Sequence, residues 1–234
     1  MVRKIPASRF GHLVEIATET FIRSGYRQTQ MADVAEALGV GKGTLYGYVE
    51  SKEALFDAAI RYADRPDDVP PPDALPIRTP EPGATVRFVR DRLAAGTADM
   101  ALVRVVQGTL VISDAAQELR TILEDLYLRL SASRYAIKLV DRCAAEYPKL
   151  AALWFGEGRW AQHQLLMQLL QRRIADGSYR ACENVAVAAR TLIETIAFWA
   201  LHRHFDPSPQ VVDDTEVRRV VIDLLSRGLL EVRR

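Results

Sequence analysis

Apolar side chains recur every three or four residues over most of this chain, the spacing of helices with one buried face. Phe10, Leu13, Val14, Ala17 and Phe21 share such a face over residues 9–24, with Ser8 placed to cap the helix and Gly25 to stop it. Thr29 is placed to cap a second helix, which turns Val34, Ala35 and Leu38 inward and ends at Gly39. A short third helix is predicted over 42–48. Ser51 caps a fourth, which carries Leu55, Phe56 and Ile60. Further along, the periodicity predicts helices over 85–95, 99–112, 114–146, 149–176, 184–204 and 214–230. The Val-rich stretch "LVRVVQGTLVI" within them also has the composition of a strand. The fold class is all-α.

The pattern is interrupted once. "DRPDDVPPPDALPIRTPEPG" holds seven of the eleven prolines, from Pro66 to Pro82. Proline removes backbone donors and fixes φ, so this segment reads as a stiff, extended connection. Three parts follow: a head at 1–63, a Pro-rich linker at 64–84 and a larger helical part at 85–234.

Composition narrows the function. Lys and Arg number 31 and Asp and Glu 30, so the net charge is +1 and there is no global basic field. Nucleic-acid binding then has to come from a local arrangement. The N-terminus is too polar for a signal peptide. The most apolar run, 185–201, is short for a membrane span and is interrupted by Arg190 and Glu194, which stand four apart on a helix and can pair. No membrane association is expected, and a cytoplasmic location is. Cys143 and Cys182 read as packed thiols, with a redox sensor as the alternative. His12, His163, His202 and His204 are dispersed, and no nucleophile, acid–base pair or metal set is recognisable. Neither enzymatic activity, cofactor nor metal is expected.

The stretch "MADVAEALGVGKGTLYGYVESKEALF" has two short helices joined by a tight glycine turn, the helix-turn-helix arrangement. A helix that enters a major groove must be slim and must project. Gly43 and Gly47 keep it slim. Lys42 and the free amides at its start favour a phosphate. Thr44 is small enough to reach a base edge or a thymine methyl. Tyr46 and Tyr48 offer hydroxyls to phosphate oxygens or, equally, rings for packing. Arg3 and Lys4 fit either a reach along the DNA backbone or a charged tail.

Residues 8–61 resemble the DNA-binding domain of the TetR family of transcriptional regulators. The resemblance runs through Phe21, Gly25-Tyr26, Val34-Ala35, Gly39-Val40, Gly43-Thr44-Leu45-Tyr46 and Ser51-Lys52-Glu53. It implies that Thr29 and Gln30 sit near a phosphate. Lys42, Gly43 and Thr44 meet the groove, Tyr46 and Tyr48 flank it, and Lys52 holds the DNA backbone. This chain departs from the family pattern at Gly41, often serine, at Gly47, often larger, and at Val49, usually aromatic. Gly47 takes away a side chain at a DNA-facing position, which shifts readout towards DNA shape.

By the same resemblance, the C-terminal half binds a small-molecule effector and forms a homodimer. The residues themselves favour a dimer through 149–176 and 184–204, since 185–201 is apolar on nearly every face and needs cover on each. Arg104, Gln107, Tyr127, Tyr135 and Trp154 are the candidate ligand contacts. The resulting expectation is a repressor that leaves a palindromic operator on double-stranded DNA when an effector binds. The alternative is a helical ligand-binding or scaffolding protein with a degenerate DNA head. The fourth helix is expected to pack directly on the C-terminal half, because packed helices carry a signal better than a loose strap.

Overall fold

The computed structural model describes residues 7–65, 68, 74–208 and 211–230. Arg3, Lys4 and Pro66, Pro70, Pro71 and Pro72 lie outside them. The described residues are helical, with no strand among them, and divide into two compact units. The first holds the described residues up to Asp91 together with Tyr135–Trp154, and the second Arg92–Arg134 together with the described residues from Phe155 onward.

In the first unit, α1 (Ala7–Gln28) lies against α4 (Lys52–Tyr62). Phe10, Leu13, Val14, Ala17 and Phe21 of α1 are buried, as are Leu55, Phe56, Ala59 and Ile60 of α4. The Phe21 and Phe56 rings meet edge to face with centroids 5.1 Å apart. Ser51 caps α4 by accepting from the Ala54 amide at 3.1 Å. Ser8 is not the cap of α1, because the helix already includes Ala7. Gly25 does break it, at φ 82°. Between α1 and α4 lie two short helices, α2 (Met31–Ala37) and α3 (Lys42–Leu45).

The predicted helix over 114–146 is two helices, α7 (Ala115–Ala132) and α8 (Arg134–Ala144), broken at Ser133. The break has a distant cause. Asp64, just past the end of α4, accepts from the amides of Tyr135 at 2.8 Å and Ala136 at 3.2 Å, and so supplies the first turn of α8 with a cap from 71 residues away. A short α9 (Pro148–Ala151) follows, with its proline in the first turn, where a missing N–H costs nothing.

The second unit takes up α5 (Ala84–Ala98) from Arg92 onward, then α6 (Ala101–Val106) and α7. The predicted helix over 99–112 stops at Val106 because the chain turns at Gly108, φ 74°. "LVRVVQGTLVI" is therefore helix and turn, not strand. Residues 149–176 also depart from one regular helix: Ala152–Arg159 form a π-helix before α10 (Trp160–Ala175). Next come α11 (Val185–Ala200), a 3₁₀ turn (His202–Phe205) and α12 (Asp214–Leu229). Asp114, Asn184 and Asp213 cap α7, α11 and α12. The core joins Leu119, Leu123 and Leu126 of α7, Leu166 and Leu170 of α10, Leu192 and Ile196 of α11, and Val221 and Ile222 of α12.

Two polar groups fasten this core. Glu118 of α7 is 1% exposed and accepts from Arg173 Nε at 2.8 Å and the Tyr179 hydroxyl at 3.3 Å. Burial, and then the Glu118 charge, push the Tyr179 phenol up. At the far end, Asp214 pairs with Arg134 at 3.1 Å and with Arg203. His204 Nδ1 lies 3.0 Å from Arg134 Nη1 and accepts from it, so the imidazole is neutral. Burial, Arg134 and Arg203 push its pKa down to about 4.

Arg173→Met leaves the Glu118 charge buried without its partner and should cost about 3 kcal/mol in urea unfolding, the lower end for a broken buried pair because Arg173 is itself partly exposed. Unchanged stability would show that Tyr179 alone satisfies Glu118. The unfolded chain protonates His204 near its ordinary value of about 6.5, whereas the folded chain resists until about 4. Stability from this group is therefore full above the first value and lost between the two as pH falls. His204→Gln should flatten that part of the pH profile relative to the parent protein.

Candidate nucleic-acid interface

The turn between α2 and α3 is fixed by backbone geometry. The Gly39 amide donates to Glu36 O at 2.9 Å and the Val40 amide to Ala35 O at 2.9 Å, closing α2 with a Schellman motif. This motif needs a left-handed residue, and Gly39 supplies it at φ 69°. Gly41 then opens α3 with extended backbone and no side-chain cap, so the first amides of α3 carry no side-chain acceptor.

The helix α3 has only four residues, and its two sides differ sharply. Lys42, Gly43 and Thr44 are exposed, and Tyr46 is 41% exposed. A Cβ on Gly43 would meet nothing within 4 Å, so the glycine leaves the outer surface low. The inner side is Leu45, followed by Tyr48 and Val49, all fully buried. Tyr48 stacks on Phe10 with ring centroids 6.2 Å apart. This corrects one expectation: Tyr48 does not flank the groove but anchors the turn after α3.

Two more expected DNA contacts have partners within the protein. Thr29 is 1% exposed, and its hydroxyl donates to Gly25 O at 2.7 Å, so it closes the end of α1 and does not meet a phosphate. Lys52 is half-buried. Its ammonium donates to Arg27 O at 3.1 Å and sits 4.8 Å over the Tyr26 ring. Lys52 thereby joins α4 to the end of α1. Gln30 is exposed at the start of α2, where its amide donates to Asp33 Oδ2 at 3.0 Å. Of the eight residues singled out, Gln30, Lys42, Gly43, Thr44 and Tyr46 lie on the surface.

The sequence pattern missed a strap. Ile77, inside the proline stretch, donates to Tyr48 O at 2.8 Å and accepts from the Glu50 amide at 2.9 Å, an isolated parallel bridge to Val49. The Thr79 amide donates to Glu50 Oε2 at 2.9 Å, and the Thr79 hydroxyl lies 2.9 Å from Ser51 Oγ. The later half of the connection is therefore pinned to the turn that follows α3. The only local signal was the β-favouring Ile77 between prolines.

The head is also clamped from behind. The Arg27 amide donates to Glu146 Oε2 at 2.7 Å and holds that carboxyl below the usual carboxylate range. Arg142 at the end of α8 donates to Ser24 O at 3.2 Å and pairs with Glu146. A Cβ on Gly25 would stand 2.4 Å from Glu146 Oε1, so this glycine serves both the turn and the close approach. Cys143 packs here as a buried thiol pushed up to about 12 by burial, far from a reactive thiolate.

The ligand candidates are scattered. Arg104 and Gln107 are exposed on and just after α6. Tyr135 is 42% exposed at the start of α8, and Trp154 is buried with Nε1 donating to Asp141 Oδ1 at 3.0 Å. Tyr127 is 2% exposed, and its hydroxyl faces the Arg203 guanidinium. Burial pushes its phenol up against the pull of Arg203, Arg134 and Arg218. Among the described residues no His, Cys, Asp and Glu cluster suits a metal ion, and no helix is long and apolar enough to cross a membrane.

Comparison with known proteins places this geometry. Residues 13–59 match the family model for "Bacterial regulatory proteins, tetR family". The HTH-type transcriptional repressor KstR2 of Rhodococcus jostii is 25% identical over 227 residues, which cover 94% of this chain and 92% of that protein. An uncharacterized HTH-type transcriptional regulator, YhgD of Bacillus subtilis, is 47% identical over 45 residues, 19% of this chain and 24% of that one. The solved structure of the ketosteroid transcriptional regulator KstR2 of Mycobacterium tuberculosis has the same fold, with a TM-score of 0.59 at 18% identity, covering 99% of this chain and all of that one. Residues 13–59 are thus a DNA-binding domain of the TetR type, and its helix-turn-helix is the α2–α3 pair.

Proposed function

We propose that this regulator is a homodimeric, cytoplasmic repressor whose head, residues 1–63, reads a palindromic operator and whose part 85–234 dimerises and takes a small-molecule effector. It acts by binding and not by turnover. The observation that carries this reading is α3: an exposed Lys42-Gly43-Thr44 surface on a fully buried Leu45-Tyr48-Val49 anchor. Repression is supported by the likeness to a protein named as a transcriptional repressor. In a two-fold dimer each α3 enters a major groove, with half-sites about 34–36 Å apart for one helical turn.

Exposed apolar side chains support the dimer. Val187 and Phe198 of α11 are 60% and 42% exposed, and Leu224 of α12 is 64% exposed. Val220, Leu224 and Gly228 stand at intervals of four along α12, giving a low apolar ridge beside α11. Trp160, at 59% exposed, continues the apolar surface onto the segment 149–176. The sequence pattern had named α10 and α11 for this role, and α12 joins them here.

For the effector, Tyr127 is the strongest candidate. Its phenol is buried in the second unit beside the guanidinium groups of Arg203, Arg134 and Arg218. The nearby guanidinium groups favour an acceptor or an anion.

A genome-fragment binding selection with the purified protein should return a palindrome with two equivalent halves, and return of no sequence above random background would sink the reading. Thr44→Ala should lower discrimination between that site and random duplex roughly tenfold, about the 1–3 kcal/mol of one base contact. Equal weakening on both duplexes would remove Thr44 from base reading. Leu224→Arg places two like charges across the dimer axis and should give a monomer in sedimentation, with folded circular dichroism. A dimer that persists would move the interface off α12.

A further inference from the structure

We propose that the strap itself belongs to the nucleic-acid interface and that Arg78 is a sequence-independent contact to a DNA phosphate. The inference rests on the reading of α3 as the groove helix. It starts from the way charge is distributed at the junction of α3 and α4. Lys52, the basic residue at the start of α4, has its ammonium engaged by Arg27 O and the Tyr26 ring. Glu50, next to the N-cap Ser51, brings a negative charge to a place where phosphate has to approach. Taken alone, the Glu50 and Lys52 charges cancel, so this pair offers a duplex no net attraction.

The strap tips that balance. Glu50 is drawn back onto the Thr79 amide, which absorbs part of its charge. Ile77 turns its N–H and C=O towards Tyr48 and Glu50, so the N–H and C=O of Arg78 point away from that pairing and its side chain takes the opposite face of the strap from that of Ile77. Arg78 is exposed and has no ion pair among the described residues. Its Cα is one residue, about 3.8 Å, from that of Thr79, whose hydroxyl touches the N-cap of α4. A guanidinium is thus carried to the edge of the junction by a backbone stapled at three points. Proline on both sides of the pairing, at Pro76 and Pro80, limits the entropy lost in holding it there. Arginine suits such a place because its planar fork binds phosphate oxygens in pairs.

The test is fluorescence anisotropy with a random-sequence 20-bp duplex over a series of salt concentrations. The parent protein should show log affinity falling linearly with log salt, and Arg78→Ala should reduce that slope by about 0.9 per bound subunit. Arg78→Lys should keep the slope, and Arg219→Ala, an exposed charge on α12, should leave it unchanged. A parental slope in Arg78→Ala overturns the inference while leaving the groove helix intact. A parent protein with no salt-dependent duplex binding overturns the reading of α3, and this inference with it.

Discussion

A helix of four residues has no stability of its own. Closing one turn fixes several dihedrals for a single hydrogen bond, and the nucleus is not repaid until the helix lengthens. The helix α3 never lengthens: it runs from Lys42 to Leu45 and gives way to turns. Its position is therefore set by what lies beneath it, the burial of Leu45, Tyr48 and Val49 against α1 and the strap. The glycines on its outer surface follow from the same constraint. Gly43 costs roughly 1 kcal/mol of helix propensity relative to alanine, a loss tolerable only where tertiary contacts hold the backbone. The reading surface can be thin because the anchor is deep.

That constraint explains the departures from the family pattern. Where an aromatic is usual, Val49 makes the isolated bridge to Ile77, and a β-branched residue suits an extended pairing. Tyr48 reaches inward to Phe10, filling aromatic volume from the neighbouring position. Its hydroxyl is buried without a partner among the described residues, a cost the ring packing has to outweigh. The strap and Val49 form one arrangement, in which the chain brings its own later segment to support the reading turn.

Legibility in the sequence followed the range of the interactions. Gly25, Gly39 and Ser51 act within a few residues, and each ends or begins a helix where the local pattern placed it. The break at Ser133 was invisible because its cause, the Asp64 carboxylate, is remote in sequence and no glycine or proline marks it. The strap was hidden for the same reason: prolines forbid a helix but do not say what the extended chain will touch. The protein partners of Thr29, Tyr48 and Lys52 were hidden by a different route. A hydroxyl, a phenol and an ammonium serve DNA and protein equally well, and only the packing of the turn after Gly25 and of Phe10 decides between them.

The remote contacts also constrain how the head can move. At its start α8 is held by the residue that follows α4, and at its end by the turn that follows α1. These are charge-assisted bonds to backbone amides and carbonyls, each stronger than a neutral bond and each directional. A shift of α8 along its axis by even an ångström would stretch one set and compress the other. Gly25 leaves no slack, since Glu146 already fills the space of a Cβ. α8 and the ends of α1 and α4 therefore move as one body or break two sets of contacts together. Any displacement of α8 would then carry the ends of α1 and α4 with it, without any need for the Pro-rich strap to transmit force.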